Sequence, residues 1–274
     1  MQPPHPLVVL DLFADDRTAL LSLLAALNAD DWEQATTCDG WSVKDVASHI
    51  LGSDLANLSR RRDGYQGDAP APGQDLVSFL NGSNDIWMHA ARRLSPRVVY
   101  DLLAAAGPPL FDYFASLDLL ALGAPVSWAG PAPAPVWLDV ARQYTERWHH
   151  QQHIRDAVGQ PGQTDPRFLH PVLATFAYAL PAALHDTDAP VGTIAHFHVH
   201  GEAGGDWSVE RQPNGWQLYT GVPATAAARV DLDQDRAWRL YTKGISPQEA
   251  QGAATFSADY HLGRRLLDAV AIIA

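Results

Sequence analysis

The hydrophobic pattern of this chain changes period along its length, and that change limits what it can fold into. Up to about residue 160 apolar residues recur at helical spacing. Val43, Val46, Ala47, Ile50, Leu51, Leu55 and Leu58, for example, share one helical face. Beyond residue 190 the spacing becomes two: VGTIAHFHVHG (191–201), DWSVERQ (206–212) and GWQLYTG (215–221) alternate between glycine-rich turns, which predicts a small antiparallel sheet. The chain therefore reads as α+β. A four-helix bundle is expected over residues 1–160, a helical connector over 161–190 and a small α+β domain over 191–274.

Within the first part the pattern predicts helices over 12–31, over 36–64 with Ser42 as N-cap and Asp45 three residues on, and over 74–95 with a stop at Pro96. Further helix is expected over 97–122, broken at GPP (107–109). The Pro-rich stretch 123–135 reads as a connector before a last bundle helix that ends near Val158, and 67–73 reads as a loop. After residue 160, short helices limited by Pro171 and Pro181 are expected over 164–184. A strand followed by a helix is expected over 228–244, and a final helix from about His261 to Ile273.

With 274 residues and 47% hydrophobic content the chain can bury a core, and its 18% charged content is too low for a disordered chain. A net charge of −12 argues against a nucleic-acid partner, because phosphate contacts need clustered cations. The one dense basic run, Arg60–Arg62, suits the end of a helix. A single cysteine, Cys38, excludes an internal disulfide and a multi-cysteine metal site, so any metal is expected on nitrogen and oxygen donors. The N-terminal MQPPHPLVVLDLFADD turns acidic too early for a signal segment, and no apolar run approaches the ~20 residues of a membrane span. The expectation is a soluble cytoplasmic protein without a membrane partner.

The segment YTERWHHQQHIRDAVG (144–159) carries the chemistry. At 100° per residue, with Glu146 at zero, His150 falls at about 40° and His153 at about −20°, with His149 on the flank at about −60°. Glu146 and His150 then project the same way one turn apart, as two ligands of one ion would. A third donor must come from another element, and His49 is the candidate. It lies about 60° off the edge of its helix's apolar face, with small Ser53 and Ala56 on the same side. Two histidines and a carboxylate form a zinc set that leaves positions open for water or substrate. The competing reading is a solvated or hydrogen-bonded helix face.

The pair C-D-G-W-S-V-K-D-V-A-S-H (38–49) and, about a hundred residues on, E-R-W-H-H-Q-Q-H-I-R-D-A-V-G (146–159) resembles the mycothiol-dependent maleylpyruvate isomerase family of DinB-like metalloenzymes over roughly residues 10–160. The resemblance implies a DinB-like metal-binding bundle with His49, Glu146 and His150 as ligands of a divalent metal, zinc by preference. It also implies a low-molecular-weight thiol, mycothiol or an equivalent, used in isomerisation or in thiol transfer to an electrophilic small molecule. One departure is His153, where the family pattern has Asp before Ile-Arg. It leaves open a second register, His149 with His153, as in other DinB-like proteins, whereas Trp148 and Ile154-Arg155 favour Glu146 with His150.

Arg155 is a candidate to hold a substrate carboxylate, although a helix C-terminus also suits it. The last eighty residues resemble the sterol-carrier-protein-like domain of the same family. That domain contributes an arginine to the site, for which Arg229, Arg239 and Arg264 all qualify here. Cys38 reads as a turn residue beside Trp41. His196, His198 and His200 share one strand face, read as half-solvated. The alternative to an enzyme is a non-catalytic DinB-like stress protein, or a carrier that holds a small ligand. Nothing in the sequence speaks to oligomeric state.

Overall fold

A computed structural model describes residues 1–272 apart from Gln66 and Asp68. One position of the expected 67–73 loop therefore lies outside the described residues, as does Ile273, although the last helix, expected to reach it, already ends at Leu266.

The first helix, α1 (Leu10–Ala25), is shorter than the expected 12–31 because Asn28 starts a new one. Its Oδ1 accepts from the amides of Asp30 (2.8 Å) and Asp31 (3.1 Å), and Asp31 Oδ2 accepts from the Asn28 amide (2.9 Å). This reciprocal cap competes with helix continuation and opens α2 (Ala29–Glu33). The predicted cap of the next helix, α3 (Val43–Ala56), is present: Ser42 Oγ accepts from the Asp45 amide and Asp45 Oδ2 from the Ser42 amide. A π-helical segment (Asn57–Arg62) continues α3 and carries Arg60–Arg62 in its last turn, where cations suit the helix dipole.

Then come α4 (Leu76–Ala91) and α5 (Pro96–Ala115). The expected break at Gly107-Pro108-Pro109 does not occur; α5 runs through it. The prolines deprive the carbonyls of Ala104 and Ala105 of helical donors, but Ala105 is exposed and Ala104 half-buried, so water can satisfy them. Only Met88 and Ala91 of α4 are buried, whereas α5 buries Val99, Leu103, Ala106, Gly107, Leu110 and Phe114. The core helices are thus α1, α3, α5 and α6 (Val136–Ala157), with α4 outside them.

In α6 every residue from Gln143 to Ile154 is buried except Glu146, which is half-buried. So polar a segment can be buried only if its polar groups find partners. Arg147 donates to Asp54 Oδ1 through Nε (2.9 Å) and Nη2 (2.6 Å), and to the Gln143 carbonyl through Nη1 (2.6 Å). Arg17 of α1 donates to the other Asp54 oxygen and to the Leu103 carbonyl (3.2 Å). Asn57 Nδ2 donates to Gln143 Oε1 (3.0 Å), and Gln151 Nε2 to Asp16 Oδ1 (2.9 Å). Around this network pack Phe13, Phe114 and Tyr144, with Phe13 5.0 Å from Phe114 and 5.8 Å from Tyr144.

The bundle is one compact unit, Val9–Asp118 with Gln143–Gly162; the second comprises Met1–Val8, Leu119–Arg142 and the chain from Gln163 onward. The chain passes between these units several times. The Pro-rich stretch 123–135 is closed by antiparallel bonds, from the Gly123 amide to the Ala134 carbonyl (2.8 Å) and from the Val136 amide to the Ala121 carbonyl (2.9 Å). Trp137 at the start of α6 packs edge-on to Tyr178 (5.5 Å).

In the second unit α7 (Pro166–Phe176) passes through Pro171, contrary to expectation, and a 3₁₀ turn leads to α8 (Leu180–Ala183), with Pro181 in its first turn. Then follow β1 (Ile194–His200), β2 (Gly205–Gln212), β3 (Gly215–Thr220), β4 (Ala228–Asp233), α9 (Gln234–Tyr241), α10 (Pro247–Ala253), β5 (Thr255–Ala258) and α11 (Tyr260–Leu266). The sheet order is β3-β2-β1-β4-β5. β1, β2 and β3 pair antiparallel as expected, and the sheet is mixed because β4 lies parallel to β1. A pairing between distant segments leaves no turn signature for the sequence to display. Ala195, Phe197 and Val199 face the helices, and His196, His198 and His200 share the opposite face. The architecture is an α+β chain, a helical bundle and a small mixed-sheet domain, and no described helix is long and apolar enough to cross a membrane.

Two outcomes follow. Asp54→Ala leaves two buried guanidinium groups without their shared carboxylate, so denaturant unfolding is expected to show a loss of about 3–5 kcal/mol. Burial raises the Asp16 carboxyl to about 7, against the pull of Arg17, Arg147 and Arg155. The folded state then holds a proton that the unfolded state has released, so stability falls as pH rises from about 4 to about 7. Asp16→Asn is expected to flatten that part of the stability–pH curve.

Candidate metal centre

The site is built from the loop that caps α3, from α3 itself and from α6. The loop is a closed turn: the Trp41 amide donates to the Cys38 carbonyl (3.0 Å), the Thr36 amide to the Trp41 carbonyl (3.0 Å), and the Cys38 amide to Thr36 Oγ1 (3.2 Å). Gly40 adopts a φ of +72°, a left-handed position that a residue with Cβ takes only at a cost. The turn lays Trp41 against His49 (5.0 Å between ring centroids) and His150 (6.5 Å).

His49 Nε2 and His150 Nε2 each lie 3.2 Å from Glu146 Oε1, and one donor atom from each residue lies within 4.8 Å of the others. The rings of His49 and His150 meet edge-on at 4.6 Å. Burial by itself would raise the Glu146 carboxyl, but hydrogen bonds from His150 and His49 hold it well below the usual carboxylate range. Burial, reinforced by His149, lowers His150 to about 3, so this imidazole is neutral at physiological pH and keeps a lone pair for a ligand. His150 Nδ1 is buried with no hydrogen-bond partner among the described residues. Two imidazoles and a carboxylate around one point fit a divalent cation such as zinc.

The structure brings His49, Glu146 and His150 together, with His149 and His153 against His150 at 4.1 and 5.3 Å between ring centroids. His149 Nδ1 bonds to the Thr145 carbonyl (2.9 Å), and no three-donor group among the described residues includes His149. His153 Nδ1 lies 3.1 Å from Cys38 Sγ. Arg155, nine positions beyond Glu146, points about 180° away around the helix. There it donates to the Pro161 carbonyl (3.0 Å) and Gln151 Oε1 (3.1 Å) and lines a cleft of about 360 Å³ with Leu23 and Asp31.

In the second unit Arg239 is paired with Asp235 (3.0 Å), Arg264 with Asp268 (3.5 Å), and Arg229 donates to the Pro223 carbonyl (3.3 Å). The strand histidines are taken up by aspartates: His196 and His198 share Asp206, at 3.1 and 2.9 Å, and His200 meets Asp231. His196 is buried, while His198 and His200 are open to solvent. The residue that sequence reading set aside is Cys38. Its place beside the α6 histidines depends on the turn folding back, and the one available signal was its position eleven residues before His49.

The fold and this cluster define a class, a chain with a helical bundle that carries a histidine–carboxylate cluster and with a small mixed-sheet domain. Residues 13–155 match the family described as the mycothiol maleylpyruvate isomerase N-terminal domain. That is more than half of the chain, which belongs to this family. Two solved structures share the fold, a mycothiol-dependent maleylpyruvate isomerase at 13% identity and a histidine-to-alanine mutant of a protein of the same description at 12%. Each aligns with a TM-score of 0.56 over 94% of this chain and 96% of its own. A comparison with curated proteins finds no match.

The two registers predict different outcomes. His150→Ala is expected to remove the divalent cation from purified protein and His149→Ala to leave it in place, as measured by elemental analysis.

Proposed function

We propose that the chain is a metal-dependent enzyme that uses a low-molecular-weight thiol, mycothiol or an equivalent, to isomerise an electrophilic small molecule or to transfer the thiol to it. The observation that carries this reading is the meeting of His49, Glu146 and His150 in a chain of this family, whose solved structural neighbours are described as mycothiol-dependent maleylpyruvate isomerases. His49, Glu146 and His150 would hold the cation, and their donor chemistry favours zinc. A cation bound there lowers the pKa of a coordinated thiol or water and so supplies a nucleophile at neutral pH.

The protein's own residues prepare the place. Glu146 stays ionised between two imidazoles, which brings one negative charge to a divalent cation and leaves the centre net positive toward a thiolate. His150 remains neutral through burial, and Trp41 covers one side of both imidazoles, which limits water around them. The buried Asp54 network holds α6 in the rotation that presents Glu146 and His150 toward α3. Arg155 lies apart from this chemistry, so the group that would hold a substrate carboxylate is sought elsewhere.

The test is turnover of maleylpyruvate, and of a panel of related unsaturated electrophiles, with and without mycothiol. The expected result is turnover that needs the thiol and falls at least ~10²-fold in Glu146→Gln, the scale of losing a metal-held nucleophile. Metal-loaded protein without thiol-dependent turnover on any member of the panel would overturn the proposal.

A further inference from the structure

We propose that Cys38, His150 and His153 form a second ligand set, one sulfur and two nitrogens, for a borderline-soft divalent cation beside the first set. One donor atom from each of the three lies within 4.8 Å of the other two. Cys38 Sγ is 3.1 Å from His153 Nδ1, and the His150 and His153 rings meet edge-on at 5.3 Å. His150 and His153 are three residues apart on one helix and so face the same way.

Two further observations bear on it. His150 is 8% exposed, and its Nδ1 is a buried polar atom without a partner among the described residues, although its Nε2 is engaged by Glu146. A buried ring nitrogen left without a partner is costly unless something occupies it. Cys38 is also held in position rather than resting on a mobile loop. Its amide is bonded to Thr36 Oγ1, its carbonyl accepts from the Trp41 amide, and Gly40 provides the left-handed turn.

The chemistry of the two sets differs. The first offers two nitrogens and a carboxylate oxygen, a set that also suits harder cations. The second offers a thiolate, which selects zinc, cobalt or softer ions over magnesium, calcium and manganese. Binding a divalent cation here displaces the Cys38 thiol proton to solvent, so the occupied set carries one thiolate and two neutral imidazoles. The proposal shares His150 with the centre described above, but its sulfur gives it a separate signature.

The experiment is titration of metal-free protein with Co²⁺, followed by absorption spectroscopy. Wild type is expected to develop a near-ultraviolet thiolate-to-cobalt charge-transfer band, and Cys38→Ser to lose it while circular dichroism stays unchanged. Glu146→Gln dismantles the first set and is expected to keep the band; His153→Gln is expected to lose it. No charge-transfer band in wild type at saturating Co²⁺ would overturn the proposal, as would a band lost in folded Glu146→Gln. Cobalt bound by Cys38→Ser reports on the first set alone, so the two readings fail separately.

Discussion

The buried carboxylate of Asp54 is the interaction on which the bundle depends. It accepts from Arg147 on α6 and Arg17 on α1, and so ties three helices at one point. Without it α6 could not be a core helix, because its central residues include an arginine, three histidines and three glutamines. Removing two guanidinium groups from water is tolerated only with a carboxylate between them and hydrogen bonds to the remaining donors. The Leu103 and Gln143 carbonyls supply some of these.

That arrangement also aims the site. A helix that buried an ordinary apolar stripe could rotate slightly at little cost. A helix pinned by charged and amide groups has one rotation that satisfies them. In that rotation Glu146 and His150 point to His49, and His153 points to the turn before α3, which carries Cys38. The same face of α6 thus borders an oxygen-containing and a sulfur-containing group, with His150 common to both.

Much of the bundle could be read along the chain because its signals are local. Ser42 and Asp45 announced the start of α3, and the stripe Val43–Val46–Ala47–Ile50 announced its buried face. Three features were not legible for lack of partners in view. Pro108-Pro109 looked like a break because whether the freed carbonyls face water is a tertiary fact. The third core helix is α5 rather than α4, since burial depends on what packs against each. The parallel pairing of β4 with β1 joins segments about thirty residues apart, and neither carries a mark of the other.

By itself the sequence determined the change of helical to alternating period, the caps, and the presentation of Glu146 and His150 on one stripe of α6. All of these follow from backbone periodicity and near-neighbour hydrogen bonds. Only the tertiary structure brought His49 to the stripe that α6 presents. His49 approaches Glu146 from another helix, whereas no three-donor group among the described residues includes His149. It alone also placed Cys38 beside His153, because two residues so far apart in the chain become neighbours only through the packing of α3 and its cap against α6.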